Sequence, residues 1–232
     1  DMTSDDMTLV REYAQSNSEQ AFATLVSRHV NLVYSVALRQ VGNPHLAEEI
    51  AQGVFILLAR KAKSLSPKII LSGWLCRTAR YVSADTLKTQ RRRQFRAQES
   101  QMQSNLNESD SALWNQIAPL LDEALNHLGE KEHDAVVLRF FDGMGLKQVG
   151  AAMGTTEDAA RMQVNRALEK LRKFFARRGL ALSTSVIAGA VAANSIQAAP
   201  TGLAAFITTA ALSGTTITTA AVAATKGIAM TT

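Results

Sequence analysis

The sequence predicts an all-α fold with two small helical domains joined by a flexible linker. Apolar residues recur three and four positions apart through most of the 232-residue chain, which is the spacing of one face of a helix. Proline (4 residues) and aromatic residues (6%) are both scarce, which favours helices over a β-sandwich. The single cysteine excludes an internal disulfide framework. A formal net charge of +5 fits nucleic-acid binding without establishing it.

The first helical domain is expected over residues 18–97, after an N-terminal segment of residues 1–17. Two apolar stripes at helical spacing predict its first two helices, and one histidine shares the first stripe: Phe22, Leu25, Val26, His29, Val33 and Val36, then Ala47, Ile50, Ala51, Val54, Leu58 and Ala62. Between the stripes, Asn43 is a good N-cap and Pro44 suits the first position of a helix.

The third helix of this domain, from about Ser72 to Arg92, carries a basic face. Steps of three, eight and three residues bring four basic side chains onto that face, namely Arg77, Arg80, Lys88 and Arg91. Trp74 and Tyr81 lie beside them. Basic side chains neutralise phosphates, and aromatic rings stack on unpaired bases, so the pattern favours nucleic-acid binding. A solvated helix with a half-buried tryptophan explains the pattern equally well.

Residues 98–110 predict a flexible linker, because they contain no basic residue and few apolar ones. The second domain, residues 111–179, contains a helix-turn-helix pattern. Gly150 supplies the small residue where the two helices cross, and Gly154 supplies the turn between them. Thr156 is the expected N-cap of the second helix.

The second helix of this pattern has an apolar face and a polar face. The apolar stripe consists of Ala160, Val164, Ala167, Leu168, Leu171 and Phe175. The other face carries Asp158, Met162, Asn165 and Arg166, with Arg161 at its margin. Arginine and asparagine make bidentate contacts with bases in the major groove, so this face predicts DNA recognition. The alternative is a helical hairpin with a solvated charged face.

Two stretches of the chain together resemble the extracytoplasmic-function group of bacterial sigma factors, over roughly residues 18–178. Region two of that group is similar to AFATLVSRHVNLVYSVALRQVGNPHLAEEIAQGVFILLARKA followed by GWLCRTARYVSADTLKTQRRR. Region four is similar to LGEKEHDAVVLRFFDGMGLKQVGAAMGTTEDAARMQVNRALEKLRK. The resemblance implies a protein that is not itself an enzyme, that binds core RNA polymerase and that directs it to promoter DNA.

The resemblance also assigns roles to residues of the first domain. The polymerase-binding set that it implies is Glu48, Glu49, Gln52 and Phe55, whereas Gly53 stands where the family usually has an acidic residue. The loop 65–73 matches the segment that captures a flipped base of the minus-ten element. The helix that melts DNA and holds the non-template strand would contribute Trp74, Arg77, Arg80, Tyr81, Lys88, Arg91 and Arg92. Cys76 replaces a common tyrosine and is expected to be a half-buried structural thiol.

In the second domain, the resemblance places the minus-thirty-five contacts on the second helix of the helix-turn-helix. The residues implied are Thr156, Asp158, Arg161, Met162, Asn165 and Arg166. Two other classes of function stay open from the residues alone. One is a helix-turn-helix regulator that binds DNA without polymerase. The other is a metal-dependent enzyme, which is disfavoured because His127 and His133 are six residues apart and do not share a helix face. We therefore expect neither a metal nor a cofactor.

The tail, residues 180–232, differs in composition from the rest of the chain. Residues 183–232 contain 15 Ala, 11 Thr and 4 Ser, and their one charged residue is Lys226. A membrane span is marginal, because few large apolar residues offset the threonines. The alternatives are a small-residue helix docked on the two domains, or disorder. We expect a regulatory or membrane-associated tail on a cytoplasmic protein, and an anti-sigma factor is a further expected partner. The acidic start, DMTSDDMT, predicts no signal peptide.

Overall fold

The computed structural model of the chain describes residues 2–96 and 112–213, and in these ranges it contains helices and no strand. The all-α prediction is therefore confirmed. The ten α-helices of these ranges are α1 (Met2–Ser16), α2 (Glu19–Val41), α3 (Pro44–Lys61), α4 (Leu71–Arg96), α5 (Ala112–Asn126), α6 (Glu130–Val136), α7 (Leu146–Ala152), α8 (Glu157–Arg177), α9 (Thr184–Asn194) and α10 (Leu203–Leu212). The predicted linker, residues 98–110, lies outside the described residues.

The first domain is a bundle in which α2 packs against α1, α3 and α4. Both predicted apolar stripes are buried, with Phe22 and Val54 fully enclosed. The predicted cap between the two helices is confirmed, since Asn43 Oδ1 accepts a hydrogen bond from Leu46 N at 3.0 Å. Gly42 ends α2 with a φ of 63°, a conformation that glycine adopts without steric cost. Local sequence therefore sets the boundary between α2 and α3.

His29 is a buried residue that ties α1 to α2. Its side chain is 3% exposed, and its Nε2 lies 2.8 Å from Oδ2 of the equally buried Asp6. Arg28 Nη1 donates to the other oxygen of the same carboxylate at 2.9 Å. Buried polar groups need such partners, so the histidine on the apolar stripe is a paired core residue. Helix α1 thereby belongs to the same core as α2.

The second domain contains the predicted helix-turn-helix in α7 and α8. A methyl group on Gly150 would come within 2.9 Å of the backbone of Thr156, so glycine is needed where the two helices cross. Gly154 forms the turn with a φ of 64°. Thr156 Oγ1 accepts from Ala159 N at 3.2 Å and is the predicted N-cap. All three predictions from local sequence are confirmed.

The segment 130–141 is helical in two different ways. Helix α6 stops at Val136 and is followed by a π turn from Val137 to Phe141. Within that turn, Asp142 N donates to Val137 O at 3.0 Å, a bond across five residues. Val137 and Phe141, four residues apart, are both buried, so the π turn stays packed on the core.

The two domains pack against each other, although the linker composition predicts separate units. Helix α5 contacts α2, and α6 and the π turn contact α4. The buried apolar side chains of both domains form one continuous cluster. The interface is a property of the tertiary structure that no local pattern indicates.

The described part of the tail forms α9 and α10, which pack on the two domains. Helix α9 lies against α8, α5 and the π turn, whereas α10 lies against α2 and α3. Among the described residues, α2 is the helix that has the length and hydropathy of a membrane span, and 67% of its apolar window is buried inside the fold. Up to residue 213, the tail thus agrees with the alternative of a docked small-residue helix.

Candidate nucleic-acid interface

The recognition face of α8 is open to solvent. The buried stripe predicted from periodicity is confirmed, and it turns the polar residues outward. Five of them are exposed: Asp158, Arg161, Met162, Asn165 and Arg166. Met162 is 53% exposed, an unusual position for a large apolar side chain unless a partner covers it. The face has the composition and accessibility that a major-groove helix requires.

Arg161 is held by two carboxylates of its own helix. Its Nη1 lies 3.0 Å from Asp158 Oδ1, and its Nη2 lies 3.0 Å from Glu157 Oε1. All three side chains are largely exposed, and ion pairs in solvent contribute little free energy. A DNA phosphate can therefore replace either carboxylate at small cost. Thr156, which caps the helix just before these residues, is exposed as well.

The basic helix α4 is partly covered by the second domain. Trp74 is 4% exposed, not half-buried. Arg77 Nη1 donates to Asp134 Oδ1 on α6 at 2.7 Å, and its Nη2 lies 3.5 Å from Glu130 Oε1. Further along, Tyr81 is 44% exposed and Lys88 is exposed. The first turns of the predicted DNA-binding face therefore lie at the domain interface, and the later turns lie outside it.

Gly73 allows the second domain to approach α4 closely. A methyl group at this position would come within 2.1 Å of Asp134 Oδ1. The carboxylate that binds Arg77 therefore occupies the space of the missing side chain. In the same region, Arg91 and Arg92 continue α4, but their side chains lie outside the described part of the structure.

Arg80 borders a small cavity between the domains. The cavity, of about 200 Å³, is lined by Arg77, Arg80, Leu125 and His133 among others. Burial lowers the pKa of the Arg80 guanidinium, and the nearby Asp122 carboxylate opposes that shift. Burial also lowers the pKa of His133, and the hydrogen bond with Asp134 opposes that shift only in part. The imidazole is consequently neutral at pH 7.

The helix predicted to bind polymerase is enclosed on most of its surface. Glu49 is exposed and Glu48 is half-buried, whereas Gln52 is 9% exposed and Phe55 is fully buried. Helices α2, α4 and α10 all pack against α3. The structure thus brings Glu48 and Glu49 to the surface and covers the other two residues of the predicted set. Gly53 lies in the buried stretch, with no atom within 4 Å of where a methyl group would be.

Sequence patterns miss the polar contacts that join the domains. Arg39 on α2 donates from Nε and Nη2 to the two oxygens of Asp122 on α5, at 3.1 and 3.2 Å. Its Nη1 donates to Ser195 O at 2.6 Å, and its guanidinium lies 5.6 Å from the centre of the Phe141 ring. In the sequence, Arg39 is a charged residue close to an apolar stripe. That position does not reveal that Asp122 is its partner.

No group of three or more histidine, cysteine, aspartate or glutamate side chains suited to a metal ion occurs within residues 2–96 and 112–213. Cys76 is fully buried, and burial raises its pKa to about 12. A thiol with that pKa stays protonated and is a poor nucleophile. Cys76 is thus a core residue of α4, more deeply enclosed than the sequence predicts.

Comparisons with known proteins agree with this two-domain arrangement. Residues 25–93 match sigma-70 region 2, and residues 124–173 match sigma-70 region 4. The chain is 28% identical over 162 residues to the RNA polymerase sigma factor CarQ of Myxococcus xanthus. The aligned residues cover 70% of this chain and 93% of CarQ. It is 27% identical over 157 residues to the sigma factor SigE of Mycolicibacterium smegmatis. That alignment covers 66% of this chain and 61% of SigE.

A third relative is the extracytoplasmic-function sigma factor SigW of Bacillus subtilis, 22% identical over 170 residues that cover 68% of this chain and 91% of SigW. All three matches extend over most of this chain, as they would if both domains had counterparts in each relative. The order of the two matched regions is the one that the resemblance in sequence implies. The chain therefore belongs to the extracytoplasmic-function group of sigma factors, which direct promoter-specific transcription by RNA polymerase.

Proposed function

We propose that α8 reads the minus-thirty-five element, that α4 and the loop 65–73 open and hold the minus-ten element, and that α3 docks on core RNA polymerase. The observation that carries the proposal is the open face of α8. On that face Asn165 and Arg166 are exposed on a capped helix whose opposite stripe is buried. Arginine and asparagine at such positions form bidentate contacts with guanine and adenine.

The reading role of α8 is tested by Arg166→Ala, with Lys173→Ala as its control. Both side chains are exposed on α8, and both variants lose one positive charge. Arg166→Ala should lower binding to the cognate promoter by about 1–3 kcal/mol and relax the preference at one base pair. Lys173→Ala removes the same charge at a position outside the predicted recognition set, so it should leave the base preference unchanged. Selection from a randomised promoter library measures the base preference of both variants. An unchanged base preference in Arg166→Ala contradicts the proposal.

For α4, we propose that the first turns contact single-stranded DNA only after the second domain moves. Arg77 is paired with Asp134, so it cannot bind a phosphate in the same conformation. The residues proposed to hold the melted strand are Trp74, Arg77, Arg80, Tyr81, Lys88, Arg91 and Arg92. Stacking on an aromatic side chain contributes about 1–3 kcal/mol per base, which offsets the cost of unstacking.

For α3, we propose that Glu48, Glu49, Gln52 and Phe55 belong to the surface that binds polymerase. Exposed Glu49 is the residue to test first. Glu49→Gln should weaken binding to core polymerase several-fold, whereas Glu19→Gln, an exposed glutamate at the start of α2, should leave it unchanged. Equal affinities of the two variants would count against the role of α3. In vitro transcription with core polymerase tests the function as a whole: the absence of initiation from any cognate DNA would falsify it.

We also propose a cellular location and a second protein partner for the chain, on the basis of its family. The site of action is the cytoplasm, where bacterial RNA polymerase meets promoter DNA. An anti-sigma factor is a second protein partner, and it would act by covering the surfaces of α3 and α4 named above.

A further inference from the structure

The tail segment of residues 183–213 contacts both domains and lies on the helix proposed to bind polymerase. We propose that this segment is an internal competitor of core polymerase: α10 occupies the docking surface of α3, and the remainder of the segment holds the second domain over the melting helix α4. The inference rests on the role of α3 proposed above. It adds a regulatory role for a segment to which sigma-70 regions 2 and 4 do not extend.

Helix α3 is buried along nine consecutive residues, and α10 is one of the helices that pack against it. Nine consecutive residues, Ile50 to Leu58, are buried. Consecutive residues of a helix point in directions about 100° apart, so this stretch is enclosed around its whole circumference. Helices α2 and α4 belong to the same bundle, and α10 is the helix from outside the two sigma domains that contacts α3. Gln52 and Phe55 lie within the enclosed stretch.

Helix α10 has one buried face and one exposed face. Leu203 is 5% exposed and Ile207 is fully buried, whereas the neighbouring Phe206 is 60% exposed. Leu203 and Ile207 therefore lie on the face of α10 that packs against the bundle, and Phe206 lies on the opposite face. Burying a leucine or isoleucine side chain contributes favourable free energy in proportion to its area. The seat is thus specific to one side of α10.

The link between α9 and α10 is held by side chains of α2. Gln197 N donates to Ser35 Oγ at 2.6 Å, and Ala199 N donates to Asn31 Oδ1 at 2.9 Å. Arg39 donates to the carbonyl of Ser195. A segment without helical hydrogen bonds needs partners for its backbone groups, and α2 supplies them. These hydrogen bonds hold residues 195–199 against α2.

The same segment is also attached to the second domain. Ile187 and Val191 of α9 are buried, and α9 packs on α5, α8 and the π turn. Ser195 Oγ donates to Phe140 O at 3.3 Å. The tail therefore joins the second domain to α2 and α3, in the conformation in which Asp134 holds Arg77. In this closed form, Gln52 and Phe55 of the proposed polymerase surface are covered and Arg77 of the proposed DNA surface is paired, while Glu49 stays exposed.

Competition of this kind has a measurable consequence. If polymerase binds only the form in which α10 is released, its apparent dissociation constant equals the intrinsic constant divided by the released fraction. A substitution that unseats α10 raises that fraction and must tighten binding. A substitution on the free face of α10 must not.

The test compares Ile207→Asp with Phe206→Asp in the full chain. The two variants place the same charge at adjacent positions of α10, one seated and one exposed. Ile207→Asp should bind core polymerase about tenfold more tightly than the wild-type chain, because the released fraction grows. Phe206→Asp should stay within about twofold of wild type, because its side chain contacts solvent. Binding is measured by fluorescence anisotropy of a labelled chain, and folding is checked by circular dichroism.

A second variant keeps the test decisive if Ile207→Asp does not fold. Ser35→Ala removes the acceptor of the Gln197 amide without placing a charge in the core, and it should tighten binding in the same direction by a smaller factor. Hydrogen exchange of residues 195–212 provides an independent measurement, since added polymerase should accelerate it.

The outcomes separate this inference from the proposed function. Folded variants that bind polymerase with the wild-type affinity, and tail amides whose exchange polymerase does not change, overturn the competition while leaving the function intact. Failure of every form of the chain to bind polymerase instead refutes the docking role of α3, on which the inference rests.

Discussion

The pair between Arg39 and Asp122 is the most deeply buried ion pair joining the two domains in the described part of the chain, and Asp122→Ala tests its contribution. The side chains of Arg39 and Asp122 are 8% and 1% exposed. Removing the carboxylate leaves the guanidinium buried, with the Ser195 carbonyl at 2.6 Å and the Phe141 ring at 5.6 Å as its remaining partners. Removing one partner of a buried pair costs about 3–5 kcal/mol. We expect about 3 kcal/mol here, because those two contacts persist.

Glu123→Ala is the control, because Glu123 follows Asp122 on α5 and pairs with Arg178 at the surface. Both side chains of that pair are 46% exposed, so its loss should cost about 0.5 kcal/mol or less. Unfolding in urea is followed by circular dichroism and by the fluorescence of Trp74 and Trp114, which are buried in α4 and α5 respectively. The two tryptophans report on both domains, so separate transitions would be visible.

The expected result is a lower urea midpoint for Asp122→Ala, with the loss concentrated in the step that separates the domains. If Asp122→Ala and Glu123→Ala differ by less than about 0.5 kcal/mol, the pair does not hold the domains together as argued. A loss confined to one domain, with the interface intact, would contradict the reasoning as well.

Gly73→Ala should loosen the domain interface, since its methyl group would meet Asp134 Oδ1 at 2.1 Å. Gly53→Ala has free space for its methyl group, so it should raise the free energy of unfolding by about 1 kcal/mol. Limited proteolysis and urea midpoints distinguish the two variants. His133→Gln should flatten the acid side of the stability profile. Burial lowers the pKa of His133 below the ordinary 6.5, so below that pH the unfolded chain takes up a proton that the native chain does not, and native stability falls by up to about 1.4 kcal/mol per pH unit. A variant that loses as much stability as wild type between pH 7 and pH 5 would refute this. Cys76, with its pKa raised to about 12, should resist a thiol reagent at pH 8 in the native chain and react at once in urea; rapid native labelling would refute its burial.

The helix-turn-helix shows how far local sequence determines structure. The buried stripe of α8, its Thr156 cap and the glycine turn at Gly154 all agree with prediction. Each depends on groups within about four residues of one another, through helix periodicity or a single hydrogen bond. The N-cap at Asn43 follows for the same reason. Such rules do not indicate the π turn after Val136.

The candidate site was predictable in its residues and not in their exposure. The resemblance over both regions predicts which helices contact DNA and polymerase. It did not indicate that Gln52 and Phe55 are covered, or that Arg77 is paired with Asp134 across a domain interface. The burial of Gln52 and Phe55 and the pairing of Arg77 depend on which helix faces pack together. Many helix faces have a similar composition, so the sequence does not specify which of them pack.

By itself, the sequence determined the all-α class, the two sigma regions and the caps and turns of the recognition helix, because these arise from short-range periodicity and local hydrogen bonds. Only the tertiary structure decided the closed arrangement. Ser35 and Gln197 are 162 positions apart, and the Ala- and Thr-rich tail has no local pattern that specifies a partner. The docking of α10 depends on the surface that α2 and α3 form together, which exists only once the bundle has folded.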